Sequence, residues 1–323
     1  MKVGSNIVLL PVEKVALVYC IFTSALMVGM APRLVDAGSM LLMRVEWFVI
    51  TAVLVLFARL YRRHSFLTTF LRTATQLGWL ALWYPDTYEF NRCFDNLDHL
   101  FAAADQTLFG CQPAIVFSQL LPGTFWSEAF NLGYWSYFPM IILLVVTIFW
   151  KHGETKRIPA IIITAFFFYY AIYIFLPVAG PQFYFQAVGT DEILAGHFPA
   201  LGTYFSFHTE MLPAPGNPNG LFYRLVQLAQ DSGERPTAAF PSSHIGISTI
   251  LLFLARRHAP RLLFILLPLW ALLCCATVYI HAHYLVDAIA GFLSAPIVLW
   301  MASRLFTTNE TNNTNSPINK EFV

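Results

Sequence analysis

Long apolar runs are the feature of this sequence that most limits what the chain can fold into. A helix needs about 20 mainly apolar residues to cross the hydrocarbon core of a bilayer. Eight runs approach that length, at roughly residues 12–31, 41–60, 65–84, 127–150, 158–177, 242–256, 262–280 and 284–305. Arg72 and Gln76 interrupt the third run, which could instead lie along the membrane interface. We therefore predict an all-α, polytopic membrane protein.

The composition argues against a large soluble protein whose apolar runs are core helices. Of the 323 residues, 57% are hydrophobic and only 11% are charged, whereas about 25% of residues are charged in an average soluble domain. The first run could also belong to a signal peptide, since Lys2 and Lys14 lie at its start. No clear small-residue cleavage site follows it, so we expect a retained anchor.

Basic residues predict the orientation, because cytoplasmic loops of membrane proteins carry an excess of Lys and Arg. If all eight runs span the membrane, the basic connections at 62–63, 151–157 and 256–261 fall on one side. The acidic segments 85–126 and 178–241 then lie on the other side, which could be periplasm, lumen or exterior. Both termini are expected in the cytoplasm.

The chain divides into three predicted regions. Residues 1–84 form N-terminal transmembrane helices, 85–306 form a membrane domain that carries the motifs below, and 307–323 form a polar, Asn-rich cytoplasmic tail expected to be disordered. The net charge of +1, without a basic block or a recognition motif, predicts no nucleic-acid partner.

One motif places a histidine at the start of an apolar run. In "AFPSSHIGIS" (239–248), His244 follows Pro241, Ser242 and Ser243. Proline and hydroxyl residues are typical of a helix start. The free N–H groups of a helix start can bind an anion such as phosphate. We therefore interpret this segment as a phosphate-binding helix start.

A second motif, "ATVYIHAHYLVDAIAGF" (276–292), carries His281, His283 and Asp287 between the last two runs. Two runs separate His244 from His283, so the two rings should return to the same membrane depth. His283 and Asp287 are four residues apart, one helical turn, so the carboxylate could hold one ring N–H and leave the other nitrogen free. His281 lies on a different face and is expected to be structural or to face the head group.

These residue types suit phosphoryl transfer. One histidine attacks phosphorus to form a phosphohistidine, and the other protonates the departing alcohol. Two other interpretations stay open: a membrane histidine can simply join helices by a hydrogen bond, and ionisable residues in a membrane can form the proton relay of a transporter. The absence of internal repeats argues against a transporter.

The two motifs resemble those of a known family. "FPSSH" (240–244) and "VYIHAHYLVD" (278–287) resemble the second and third signature motifs of the type 2 phosphatidic acid phosphatase (PAP2) superfamily. The resemblance implies a six-helix membrane core, here with about two additional N-terminal transmembrane helices. It also implies that His283 is the nucleophile, supported by Asp287, and that His244 is the acid for the leaving group.

The sequence departs from the ordinary phosphatases of that superfamily. Ala276 and Thr277 stand where those enzymes have Ser-Arg, and no lysine occurs between residues 157 and 320. The inositol phosphorylceramide synthase branch of the superfamily tolerates these losses. Five segments resemble that branch: "DQTLFGCQP" (105–113), "FLPVAGPQF" (175–183), "GLFYR" (220–224), "FPSSHIG" (240–246) and "HAHYLVDAIAG" (281–291).

This second resemblance implies transfer of phosphoinositol from the donor phosphatidylinositol to a lipid alcohol acceptor, ceramide, with release of diacylglycerol. The alternative is a lipid phosphatase or phosphodiesterase in which water replaces the acceptor. The predicted substrate-binding residues are Ser242, Ser243, Arg224, Arg235, His281 and Gln182. Arg224 and Arg235 could instead pair with nearby acidic residues. No zinc-binding or P-loop pattern occurs, so we predict no metal and no cofactor.

Overall fold

The computed structural model describes residues 9–61 and 65–306, and all regular structure within them is helical. The predicted tail 307–323 and the basic pair at 62–63 lie outside the described residues. The helices are α1 (Pro11–Met30), α2 (Ala37–Leu60), α3 (Ser65–Gly78), α4 (Leu80–Asn91), α5 (Asp98–Phe109), α6 (Pro113–Leu120), α7 (Thr124–Trp135), α8 (Tyr137–Trp150), α9 (Arg157–Phe175), α10 (Pro181–Val188), α11 (Thr190–Leu194), α12 (Leu221–Gly233), α13 (Ser243–His258), α14 (Leu263–Tyr279) and α15 (Leu285–Arg304).

Within the described residues, five helices are long and apolar enough to cross a membrane. They are α1, α2, α9, α14 and α15, and the pair α7 and α8, bent by 45°, would make a sixth span. The all-α membrane fold predicted from the sequence is thus confirmed.

Three of the eight predicted runs differ from single straight spans. The run at 127–150 is the bent pair α7 and α8. The run at 65–84 is broken between α3, which ends at Gly78, and α4, which begins at Leu80. The run at 242–256 forms α13, whose 16 residues cover only about 24 Å at a rise of 1.5 Å per residue. That is shorter than the hydrocarbon core, which is about 30 Å thick.

Helix α9 lies at the centre of the bundle. It contacts α1, α3 and α4 of the N-terminal region as well as α13 and α15, and 78% of its most apolar 18-residue window is buried. A helix that is covered on all sides needs apolar residues all round. This explains why its sequence, RIPAIIITAFFFYYAIYIF, shows no polar face.

Two buried ion pairs join the N-terminal helices. Arg44 of α2 donates to both carboxylate oxygens of Asp86 of α4, at 2.9 and 2.8 Å, and both side chains are almost fully buried. Arg72 of α3 donates through Nε to Glu13 of α1 at 2.7 Å. Charges in an apolar region are stable only when they are paired, and these pairs account for Arg72 within the third apolar run.

We expect Asp86→Asn to lower the stability of the protein strongly. The substitution leaves the buried Arg44 without a counter-charge, which costs about 3–5 kcal/mol when one partner of a buried pair is removed. The measurement is the melting temperature in detergent. The matched control is Glu154→Gln, which breaks the partly exposed pair with Arg157 at 2.7 Å and should cost less than about 1 kcal/mol. Equal losses in melting temperature for the two substitutions would contradict a stabilising role of the buried Arg44–Asp86 pair.

Candidate active site

Helices α13 and α15 pack against each other and bring the two predicted catalytic histidines together. His244 lies in the first turn of α13, and His283 lies in the connection between α14 and α15. Nε2 of His283 is 3.5 Å from Nδ1 of His244, and the ring centroids are 5.6 Å apart. The structure therefore places both rings at one position, as their separation by two apolar runs predicts.

A backbone carbonyl orients the His283 ring. Nδ1 of His283 lies 2.8 Å from the carbonyl oxygen of Ala239. Because a carbonyl can only accept, Nδ1 must carry the proton, and the lone pair is then on Nε2, facing His244. Burial lowers the pKa of His283 to about 4, although the hydrogen bond to Ala239 opposes the shift. The ring is therefore neutral near pH 7, which is the form a nucleophile requires.

Asp287 occupies a different position from the one predicted. Its Oδ2 is 3.7 Å from Nδ1 of His283, and that oxygen accepts the N–H of Tyr284 at 2.9 Å instead. The reason is that α15 begins at Leu285, so His283 precedes the helix and the one-turn geometry does not apply. The ring N–H that was predicted to donate to Asp287 thus donates to the carbonyl of Ala239 instead. The carboxylate remains close enough to stabilise positive charge on the ring.

Two tyrosines hold the His244 ring. The ring of Tyr134 stacks on it with centroids 4.7 Å apart and an angle of 27°, and the ring of Tyr137 lies 4.5 Å away. Both tyrosines flank the bend between α7 and α8. The sequence motifs did not point to them, because their contact with His244 depends on how α7 and α8 fold back against α13.

The start of α13 is more occupied than predicted. The N–H of Ser242 donates to the carbonyl of Asp287 at 3.1 Å, and the N–H of Ser243 donates to the hydroxyl of Tyr173 at 2.9 Å. Oγ of Ser242 accepts the N–H of Ile245 at 3.5 Å, as an N-cap residue does. The N–H groups of Ser242, Ser243 and Ile245, predicted to be free for an anion, therefore already have partners. The first two bonds also fix α13 against α15 and α9.

The two predicted cationic ligands lie on the surface. Arg224 is exposed, and its Nε donates to the carbonyl of Pro218 at 3.2 Å. Arg235 is also exposed and donates to the carbonyl of Glu234 at 2.9 Å. The contacts described for the two histidines are instead with each other, with tyrosine rings, with the carbonyl of Ala239 and, at 3.7 Å, with Asp287. Among the described residues, no three His, Cys, Asp or Glu side chains are grouped so as to hold a metal ion.

Gln182 and His281 form hydrogen bonds that connect the loops beside the site. The N–H of Gln182 donates to the carbonyl of His281 at 2.8 Å, and Oε1 of Gln182 accepts from Gln230 at 3.1 Å. His281 has a left-handed backbone with φ of 67°, and its Nε2 lies 3.4 Å from Oγ of Ser118 on α6. Their predicted role in substrate binding stays a prediction.

A carboxylate that the sequence analysis did not single out caps α15. Asp105 of α5 accepts the N–H groups of Leu285 at 2.9 Å and Val286 at 3.0 Å. Its burial raises its pKa to about 6, against these two hydrogen bonds. The available signal in the sequence was the segment "DQTLFGCQP" (105–113), which begins at Asp105.

A comparison with protein families finds a match that covers both histidines. The model of the family described as the PAP2 superfamily matches residues 100–301, well over half of the chain and the part that contains both histidines. No curated protein and no solved structure matches this chain in the corresponding comparisons.

We expect Gly291→Ala to disturb the site, because α13 and α15 touch there. A Cβ atom on Gly291 would lie 2.4 Å from the carbonyl oxygen of Ser242, and relieving such a clash typically costs about 1–3 kcal/mol. The measurements are the melting temperature and the catalytic rate, both of which should fall. Gly29→Ala in α1 is the control, since apart from the backbone of its own helix no atom lies within 4 Å of its Cβ. A harmless Gly291→Ala would show that the two helices can separate freely.

Proposed function

This chain belongs to the PAP2 superfamily, and we propose that it transfers a phosphate-linked head group from one lipid to another through a phosphohistidine at His283. The observation that carries the proposal is the pair of histidines. The lone pair of His283 Nε2 faces His244 at 3.5 Å, while the opposite nitrogen is fixed by Ala239. A nucleophile beside an acid, with the nucleophile oriented by a third group, is the arrangement that covalent catalysis requires.

The proposed reaction has two balanced steps. In the first, Nε2 of His283 attacks the phosphorus of a phosphodiester, an N–P bond forms, and the bond from phosphorus to the diacylglycerol oxygen breaks. His244 donates its proton to that oxygen. In the second step His244 takes the proton of an acceptor hydroxyl, whose oxygen attacks phosphorus and releases His283. The negative charge of the bound phosphodiester favours the protonated form of His244 in the first step.

An apolar groove that includes Ile245 and Leu285, close in sequence to the two histidines, supports a lipid substrate. It has a volume of about 670 Å³ and lies between α6, α13, α14 and α15, with side chains from Phe109 to Leu293 along its walls. Ile245, next to His244, and Leu285, two residues after His283, are among them. Such an apolar lining can contact acyl chains without exposing them to polar groups. We propose that the groove holds the chains of the donor.

The proposed substrates are phosphatidylinositol as donor and ceramide as acceptor. The support is the resemblance to the inositol phosphorylceramide synthases and the scarcity of cations at the site. A phosphodiester carries one negative charge, whereas a phosphomonoester carries nearly two near pH 7. A site surrounded by tyrosine rings and backbone groups suits the smaller charge.

We propose that the site opens away from the cytoplasm. Helix α13 begins beside the site and ends with Arg256 and Arg257, and α15 begins there and ends with Arg304. The basic ends of both helices thus lie opposite the histidines. Basic residues mark the cytoplasmic side.

We expect the purified protein, given phosphatidylinositol and ceramide in EDTA, to release diacylglycerol and form an inositol phosphosphingolipid, both followed by mass spectrometry. His283→Ala should abolish the product, and His244→Ala should slow it by about 10²–10⁴-fold, as for loss of an acid–base group. His197→Ala, at an exposed histidine, is the control. Diacylglycerol released equally without ceramide would indicate hydrolysis, and unchanged turnover by His283→Ala would refute the nucleophile assignment.

We expect Cys275→Trp to obstruct the groove. Cys275 of α14 lines it, and the larger ring should raise KM for a long-chain donor about tenfold, the scale of discrimination by an apolar pocket. KM for a donor with six-carbon chains should rise less. Leu267→Trp is the matched control, because Leu267 is an exposed residue of the same helix outside the groove. Equal effects on both donors would contradict the assignment of the groove.

A further inference from the structure

The proposed reaction leaves one buried carboxylate near the site without a role. Asp98, the first residue of α5, is fully buried. Its two oxygens accept four hydrogen bonds, from the N–H groups of Ala179 and Gly180, the hydroxyl of Tyr284 and the amide of Asn96. A buried charge is costly unless hydrogen bonds compensate it. The four donors around Asp98 supply that compensation, so the segments that carry them are held in place by the carboxylate.

The first connection from Asp98 to the nucleophile runs through the backbone. Asp98 accepts the N–H of Ala179 at 2.6 Å and that of Gly180 at 2.8 Å. The residue before them, Val178, accepts the N–H of Ala239 at 3.0 Å. The carbonyl of Ala239 in turn accepts Nδ1–H of His283. Asp98 therefore fixes the segment that places the hydrogen-bond acceptor of the ring.

Gly180 shows how closely this segment fits. Its φ is 98°, a left-handed value that favours glycine. A Cβ atom there would lie 2.7 Å from the carbonyl oxygen of Ala282, the residue before His283. The segment held by Asp98 thus touches the connection that carries the nucleophile.

The second connection runs through a side chain. The hydroxyl of Tyr284 donates to Oδ1 of Asp98 at 2.9 Å. Tyr284 directly follows His283 and is the N-cap residue of α15. Asp98 therefore fixes the backbone next to His283 through Tyr284, and the carbonyl that accepts from the His283 ring through the segment at Ala179 and Gly180.

We infer that Asp98 is a positioning residue for His283, setting both its ring acceptor and its backbone, a role that the motifs suggested for Asp287. The inference rests on the proposed function only in taking His283 as the nucleophile. Asp98 does not touch the reacting atoms. It acts by keeping Nε2 of His283 directed at the phosphorus, because small errors in the placement of a nucleophile are costly in rate.

The test uses Asp98→Asn and Tyr284→Phe. Asn keeps the shape but directs an amide N–H₂ at backbone donors, so kcat should fall by about 10–100-fold, the scale for loss of a group that orients a functional side chain. Tyr284→Phe removes one of the two connections, and its kcat should fall by about tenfold on the same scale. KM should stay within about twofold in both, since neither residue contacts the substrate.

The control for the hydroxyl is Tyr184→Phe. Tyr184 is also fully buried and donates one hydrogen bond, to the carbonyl of Pro199 at 2.9 Å. Both tyrosine variants should lower the melting temperature similarly, but only Tyr284→Phe should lower kcat. If kcat falls equally in the two variants, or in neither, Asp98 has a structural role only. Tyr284→Phe decides the question even if Asp98→Asn does not fold.

A second readout separates this inference from the choice of substrates. Orthovanadate adopts the five-coordinate geometry of phosphoryl transfer, and such analogues bind where the transition state is stabilised. It should raise the melting temperature of the wild type, not that of His283→Ala, and raise that of Tyr284→Phe only at higher concentration.

The outcomes are distinct. A vanadate shift without any lipid product would refute phosphatidylinositol and ceramide as substrates and leave the role of Asp98 testable. A vanadate affinity in Tyr284→Phe equal to that of the wild type would overturn the role of Asp98. A shift that persists in His283→Ala would overturn the nucleophile and, with it, the inference.

Discussion

The hydrogen bond from His283 to the carbonyl of Ala239 is the interaction on which the rest of the site depends. It sets which ring nitrogen keeps a lone pair and where that lone pair is directed. The position of that carbonyl is fixed in turn, because the N–H of Ala239 donates a hydrogen bond to the carbonyl of Val178. A backbone acceptor has no rotamers, so the ring is oriented by the fold rather than by a second flexible side chain.

The membrane architecture could be predicted from the sequence because it depends on local apolar length. Helices α1, α2, α9, α14 and α15 each follow from a run of about 20 apolar residues. The meeting of the two histidines also followed from counting spans. The break of the third run before Leu80 was harder to predict, because it accompanies buried polar contacts of α3 with helices far along the chain.

The parts of the site that the sequence did not reveal come from long-range backbone contacts. Asp287 looked like the partner of His283 because four residues separate them, but α15 starts only after His283. The actual acceptor, Ala239, lies 44 residues away and shows no chemical signal in the sequence. Asp98 and Tyr134 likewise gain their positions only from the packing of α5 and α7. Spacing motifs detect neighbours on one helix, and this site is assembled across several.

The short length of α13 has a consequence for the depth of the reaction. In the proposed orientation, with Arg256 and Arg257 of α13 at one surface of the membrane, a helix of about 24 Å would end about 6 Å short of the other boundary of a 30 Å hydrocarbon core. His244 would then lie about 6 Å inside that boundary, among the acyl chains and below the level where they join the glycerol backbone. Water is scarce inside the hydrocarbon core, so this depth would favour a lipid alcohol over water as the acceptor in the proposed reaction.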